Sequence, residues 1–340
     1  MKKIVLVILV LLSLLFISTG FVYGEVVATF DNLSRPMFVT ADDTQLYISE
    51  DTSVYIYSLE DYKLIKKFGK AGEGPSEFVR FCIAMPVDDK ILVNTTGKIV
   101  YFTKKGAFVS EAKTKAGFNF IFIPIKTNFV GLGFSEDKKE KAFYRTINIY
   151  DKELNKTKTL FKKKMNIQRD KINPFDSNNR LPFQVWKDNI IVLDDNDSIN
   201  ICDSNGKILN TIKPAYTKYP VTEEVIDGMK DFYKTDPRTK QFYERIKNRL
   251  SFPKHLPNLR NFYAVDDKIY IITYKKDNNK CEFIIYDKKG TLLKKDMFFC
   301  KLTSPKDTYP LSIKNNKLYQ LVENEDTEEW ELHINKFNLN

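Results

Sequence analysis

Histidine is almost absent from this chain, because only His255 and His333 occur among its 340 residues. A zinc site built mainly from imidazole ligands is therefore excluded by count. The chain also has no GxSxG nucleophile motif and no glycine-rich phosphate loop ahead of a helix. We accordingly predict no catalytic residue set.

Cysteine is also scarce, and none of its spacings is a CxxC pair, which argues against zinc-ribbon and thioredoxin-like folds. The four cysteines are Cys82, Cys202, Cys281 and Cys300. The first three lie in apolar strand-like stretches, where a buried free thiol is expected. Spacing alone does not assign disulfide partners.

Long blocks of one charge are missing as well. The chain has 54 basic and 44 acidic residues, interspersed along its length. Without Lys2 and Lys3 the basic count is 52, so the net charge is +8. A nucleic-acid-binding protein would show a basic stripe with a recognisable motif, and we predict no nucleic-acid partner.

Residues 1–24 have the features of a cleaved signal peptide. Lys2 and Lys3 precede the apolar stretch Ile4–Ile17, and Gly24 is a small residue suited to cleavage. The alternative is an uncleaved membrane anchor, but the apolar stretch is shorter than the ~20 residues of a spanning helix. No cysteine marks a lipoprotein. We therefore predict export to the periplasm or the extracellular space, without a membrane span after cleavage.

The remaining chain, residues 25–340, repeats one pattern of turn and strand six times. The second strand of the pattern recurs as QLYIS, KILVN, NIIVL, KIYII and KLYQL, with a divergent copy at Phe129–Phe134. The third strands start 45 to 52 residues apart, except for one spacing of 84. Four-stranded repeats of this length are typical of β-propellers. The pattern predicts an all-β fold, one six-bladed propeller domain with four-stranded antiparallel blades. A β-sandwich is the alternative.

The last repeat lacks its fourth strand before the chain ends at Asn340. Glu25–Phe30, directly after the predicted cleavage site, has the missing pattern. We expect it to pair with Leu332–Phe337 and so to close the ring and remove an exposed sheet edge.

The segment Phe68–Gly97 resembles the NHL-repeat signature, in which a strand ending in Phe-Gly is followed by a glycine-rich loop ending in Phe. Its loop Gly72–Phe78, GEGPSEF, is similar to the GxGPGEF loop of secreted bacterial six-bladed propellers, with Ser76 in place of a glycine. The resemblance implies a propeller and an exported location. It implies little chemistry.

The long spacing contains an insertion at about residues 221–257, between blades four and five. Thr222 is predicted to cap a helix that starts at Glu223, and Asp236 to cap a second helix. The insertion is interpreted either as a helical hairpin packed on the ring or as a lid or partner surface. A protein partner bound through Phe232, Tyr233, Phe242 and Ile246 is one alternative.

A metal-dependent hydrolase or lyase of the lactonase-like propeller kind is another alternative, and it needs convergent oxygen or imidazole ligands. No cofactor is predicted, although acidic turns leave calcium open. His333 alternates within a strand and is interpreted as structural. His255, beside the insertion, is a weak candidate for a binding site.

Four arginines lie just ahead of inner strands, at comparable distances from the following turns: Arg35, Arg80, Arg180 and Arg260. Equivalent positions in a ring should converge at one mouth of the channel, and the guanidinium fork suits carboxylate, sulfate or phosphate. The alternative is that each pairs with an acid, such as Glu77, and joins neighbouring blades. The favoured hypothesis is an exported, non-catalytic binding protein for an anionic small molecule, glycan or peptide.

Overall fold

Six four-stranded antiparallel sheets form the fold in the computed structural model, which describes residues 24–114, 121–166, 170–176 and 181–339. The first strand of the chain is β1 (Glu25–Phe30), and the other strands follow blade by blade. The inner strand of blade one contacts those of blades two and six, so the sheets close into a ring. The prediction of a six-bladed propeller is confirmed.

Each blade runs from an inner strand at the channel to an outer strand at the rim. The inner strands are β2 (Phe38–Ala41), β6 (Cys82–Val87), β10 (Phe122–Ile125), β14 (Phe183–Trp186), β18 (Asn261–Val265) and β22 (Leu311–Lys314). The second strands are β3 (Gln45–Glu50), β7 (Lys90–Thr95), β11 (Asn128–Asp137), β15 (Asn189–Leu193), β19 (Lys268–Asp277) and β23 (Lys317–Glu323). The third strands are β4 (Ser53–Ser58), β8 (Lys98–Thr103), β12 (Ala142–Tyr150), β16 (Ile199–Cys202), β20 (Lys280–Asp287) and β24 (Trp330–Lys336). The outer strands of blades one to five are β5 (Leu64–Phe68), β9 (Phe108–Lys113), β13 (Lys156–Lys164), β17 (Ile208–Ile212) and β21 (Leu292–Phe299).

The amino-terminal strand completes blade six, as predicted. β1 pairs antiparallel with β24, and the register runs from Glu25 opposite Ile334 to Phe30 opposite Trp330. Phe30 and Trp330 are both buried in the cluster that joins blades six and one. The ring is therefore closed by strands from opposite ends of the chain.

The hydrophobic core lies between the blades. Tyr47 and Ile56 of blade one, for example, pack in one cluster with Ala84 and Val93 of blade two. Side chains of a strand alternate between the two sheet faces, and here each face meets a neighbouring blade. The central residues of the second and third strands are consequently buried on both faces.

On the face opposite the insertion, tight turns connect each inner strand to the second strand of its blade. Side chains at these turns also link neighbouring blades. Asp266, Asp267, Asn315 and Asn316 adopt left-handed backbone conformations, which Asp and Asn tolerate better than most residues. Lys314 of blade six reaches Asp266 of blade five at 2.8 Å and Asp43 of blade one at 3.2 Å. These ion pairs link blade six to blades five and one.

The insertion begins with the predicted helix, α1 (Glu223–Thr235), and the Thr222 side chain accepts a hydrogen bond from the Val225 amide. The prediction that Asp236 starts a second helix is wrong, because Asp236 ends α1 and its carboxylate binds Arg238. Beyond it lie only short turns, the 3₁₀ segments Lys240–Phe242 and Lys247–Arg249 around α2 (Tyr243–Ile246). None of their residues is buried, so no tertiary packing supports a longer helix.

The four cysteines are buried and unpaired, as predicted for the three in strand contexts. Residues 1–23 of the predicted signal peptide lie outside the described residues. Within the described ranges, no helix is long and apolar enough to cross a membrane.

Candidate functional site

A cavity of about 350 Å³ opens at the channel mouth on the insertion side. Its walls come from blade three and from the segments that lead into the inner strands of blades four, five and six. They are lined by Leu132, Arg145, Leu181, Pro182, Leu259, Arg260, Asn261, Phe262, Lys306, Asp307 and Thr308. This size is at the lower end of the range for small-molecule sites.

Arg260 is the most deeply buried basic side chain of this wall, with 8 % of its surface exposed. Its Nη1 donates a hydrogen bond to the Pro305 carbonyl at 2.7 Å, and its guanidinium carbon lies 4.3 Å from the centre of the Tyr274 ring. Its Nε is buried without a hydrogen-bond partner among the described residues. Nothing acidic lies within ion-pair distance of Arg260 in that part of the chain.

The insertion supports Arg260 indirectly. Met229, the buried residue of α1, packs in one cluster with Phe175 and Tyr274. The Tyr274 ring, held edge-on against Phe175, carries the guanidinium on its face. A Cβ at Gly228 would lie 3.0 Å from the Pro305 side chain. Helix α1 therefore passes close to the loop whose Pro305 carbonyl accepts the hydrogen bond from Arg260. The insertion is therefore packed on the ring beside the cavity.

Arg145 is the second arginine of the cavity, and it comes from β12 in blade three. It is paired across the strands with Phe134, and its guanidinium carbon lies 4.1 Å from the centre of that ring. Burial lowers the pKa of Arg145. Its Nε is likewise buried without a hydrogen-bond partner in the described ranges.

Lys306 and Asp307 complete the charged part of the wall from the loop before β22. Asp307 also lies near Tyr233 of the insertion helix α1. Burial raises the pKa of Tyr233, and the charge of the Asp307 carboxylate raises it further. Two arginines, one lysine and one aspartate thus border one small cavity. The local formal charge is positive.

The four arginines predicted from the sequence have different surroundings. Of the three that the structure describes, Arg260 alone lines the cavity. Arg35 and Arg80 are exposed and lie outside the cavity wall. A hydrogen bond from Arg238 lowers the pKa of Asp236, and the positive charge of Arg35 lowers it further. Arg35 therefore lies near Asp236, at the end of α1. Arg180 lies outside the described residues.

Glu77 closes the glycine-rich loop of blade two. Its Oε2 accepts from the Gly74 amide at 2.9 Å, and Lys70 pairs with its Oε1 at 3.0 Å. Buried Lys98 donates to the Gly74 carbonyl at 2.7 Å and to Glu111 at 2.8 Å. These contacts give Glu77 a structural role in the loop.

The two histidines lie in contrasting places. His255 is exposed at the edge of the insertion, where its backbone bridges to Pro220. His333 is buried, stacks on Phe299 and hydrogen-bonds Glu331 at 2.9 Å, which agrees with its predicted structural role.

In the ranges the structure describes, no three acid, histidine or cysteine side chains are placed to hold one metal ion. Calcium binding and the lactonase-like alternative remain predictions from the sequence.

The apolar residues proposed for a protein partner do not form one exposed stripe. Phe232 and Tyr233 are half-buried against the cluster of Met229, whereas Phe242 is 44 % exposed and lies under Arg245. A protein partner for the insertion remains a prediction.

Sequence reasoning missed Arg145, Lys306 and Asp307. Arg145 belongs to a third strand, whereas the four predicted arginines lie ahead of inner strands. One signal was available: Arg145 is the one charged residue of the strand AFYRTINIY. A charged side chain in a largely buried strand needs a partner or a cavity.

Comparison with known proteins adds no family to this geometry. No protein-family model matches the chain, and no curated protein matches it.

Among solved structures, the Cps50 (Swd1) β-propeller domain of Myceliophteria thermophila matches 91 % of this chain and 98 % of its own, at 10 % identity and TM-score 0.45. BamB from Moraxella catarrhalis matches 89 % and 83 %, at 12 % identity and TM-score 0.35. The AfRom2 CNH domain matches 92 % and 99 %, at 8 % identity and TM-score 0.44. These likenesses carry no argument about the function of this chain.

Proposed function

We propose that this chain is an exported, non-catalytic binding protein that holds an anionic ligand in the cavity at the channel mouth. One observation carries the proposal: Arg145 and Arg260 border the same cavity, and neither has an acidic partner within ion-pair distance in the described ranges. Export is supported by the signal-peptide features of residues 1–24.

The physical argument rests on the cost of burying charge. A buried cation without an anion loses hydration and gains no Coulomb attraction in return. The Tyr274 and Phe134 rings offset part of this loss through cation–π contacts. An anion in the cavity would offset more, since two like charges would then share one counter-charge. The sequence supplies no catalytic set, which favours binding over turnover.

Thermal unfolding with added anions tests the proposal. Sulfate, phosphate, acetate and glucuronate are compared with sodium chloride at equal ionic strength. A ligand at 100 times its Kd stabilises the folded state by about 2.7 kcal/mol, which should raise the melting temperature by roughly 5 °C. The double variant Arg145→Met, Arg260→Met should lose that rise.

The chain offers matched controls in the exposed arginines. The double variant Arg35→Met, Arg80→Met removes the same charge outside the cavity and should respond to anions like the unchanged protein. The proposal fails if no anion acts beyond the chloride control, or if the cavity variant and the exposed variant respond alike.

A further inference from the structure

We infer that the ligand is an organic monocarboxylate with an apolar body, an inference that rests on the proposed function. The cavity lining combines two kinds of residue. Arg145, Arg260, Lys306 and Asp307 are charged, and Leu132, Leu181, Pro182, Leu259 and Phe262 are apolar. A ligand that fits both needs a charged end and a hydrocarbon part.

The charged lining suits one carboxylate better than a polyanion. Asp307 lines the same cavity as Arg145, Arg260 and Lys306. Its carboxylate would repel the additional charges of phosphate or sulfate at close range. A monocarboxylate gains the attraction of the arginines with less repulsion from Asp307.

The apolar lining sets a hydrophobic requirement. Leu181 and Leu259 both line the cavity, and each retains 8 % of its surface in contact with solvent. Covering such surface with hydrocarbon removes it from water and favours binding in proportion to the area buried. Phe262, the aromatic residue of the wall, is 1 % exposed, so it presents no flat ring face to a sugar.

Calorimetric titration with a homologous series tests the inference. Acetate, butanoate, hexanoate and octanoate are compared with the primary alcohols of equal length and with inorganic phosphate, all below micelle-forming concentrations. Each added methylene should strengthen carboxylate binding about fourfold until the cavity is filled. The matched alcohols should bind at least tenfold more weakly.

Two variants locate the effect. Leu132→Ala should reduce the gain per methylene, and Arg145→Met should reduce the preference for carboxylate over alcohol. Leu64→Ala, an exposed position on the outer strand of blade one, should change neither.

The outcomes separate this inference from the proposed function. Tight phosphate binding with no dependence on chain length would overturn the monocarboxylate inference and leave the anion site in place. Equal binding of alcohols and acids would overturn the anion site itself. If no compound binds, both are rejected.

Discussion

The segments that lead into blades two and five carry an arginine at equivalent sequence positions, yet Arg80 is exposed and Arg260 is buried. Both residues lie shortly before an inner strand, β6 and β18. The difference shows that equivalence along a repeat does not give equivalent surroundings.

Distant parts of the chain bury Arg260. Tyr274 comes from the long hairpin of blade five, and Pro305 comes from the loop before blade six. Met229 of the insertion packs behind Tyr274. Each of these elements differs from its counterpart in blade two, so Arg260 is covered and Arg80 is not.

Local chemistry shapes the segment before blade two instead. Ser76 and Arg80 have left-handed backbones, with φ of 58° and 67°. Glu77 holds the loop through the Gly74 amide, and Gly72 leaves room for that carboxylate. This segment is compact without help from an insertion, and Arg80 stays in solvent.

The largest effect is expected for Gly69→Ala in the segment before blade two. Gly69 has φ of +89°, and a Cβ there would lie 2.7 Å from the Thr52 carbonyl oxygen and 2.3 Å from the Phe78 ring. Strain and overpacking together should lower the free energy of unfolding by about 3 kcal/mol. Urea denaturation measures it.

Gly97→Ala is the control for backbone strain alone, because Gly97 has φ of +79° and open space around its Cβ position. It should cost about 1 kcal/mol. Equal losses in the two variants would show that the packing of Phe78 does not shape this segment.

The next effect has the opposite sign. Arg260→Met keeps most of the side-chain volume and removes a buried charge that has no acidic partner among the described residues. The free energy of unfolding should therefore rise by about 1 kcal/mol while anion binding is lost. Arg80→Met should change stability by less than about 0.5 kcal/mol. A clear loss of stability in Arg260→Met would mean that this arginine joins the blades rather than serving a ligand.

A smaller gain is expected for Arg80→Gly. Glycine adopts the left-handed backbone of Arg80 without steric cost, and this relief slightly exceeds the added entropy of the unfolded chain. The free energy of unfolding should increase by about 0.5 kcal/mol. Arg35→Gly, at a position whose φ is not left-handed, should decrease it. The same sign in both variants would contradict the role assigned to backbone strain.

The smallest effect is local and depends on acid. The Gly74 amide, with Lys70, lowers the pKa of Glu77 below its ordinary value of 4.5. The folded loop is therefore stabilised above pH 4.5, and this stabilisation is lost as the pH falls through the lowered pKa. Hydrogen-exchange protection of residues 70–79 should drop at low pH before that of residues 258–262.

Glu77→Gln provides the matched test of this acid sensitivity. Its loop should be less protected already at neutral pH and should change little on acidification. A loop that loses protection in acid to the same degree in the variant would remove Glu77 as the cause.

Much of the architecture could be predicted from the sequence, because strands and tight turns are specified by near neighbours. Alternation in segments such as KIYII and the Asp266-Asp267 turn identify a hairpin without tertiary information. The pairing of β1 with β24 followed from counting strands, since one blade lacked a partner strand. The start of the helix at Glu223 could be predicted because Thr222 is a favourable N-cap residue.

The site was harder to predict. Arg260 was identified by its position, but Arg145 was not, because nothing in a single strand shows that its neighbours leave a cavity. The second helix of the insertion was also mispredicted. Asp236 and Pro237 are suitable for a helix start, but Arg238 holds the Asp236 carboxylate and the following residues have no core to pack against.

The sequence by itself determined the repeat, the turns and the strand that closes the ring, because these depend on backbone preferences and on the alternation of apolar residues over a few positions. Only the tertiary structure decided which arginine is covered. Burial depends on segments far apart in the chain, and Tyr274, Pro305 and Met229 meet around Arg260 only after the blades have assembled. A buried arginine beside a cavity arises from that assembly, and the residues next to Arg260 in the sequence do not indicate it.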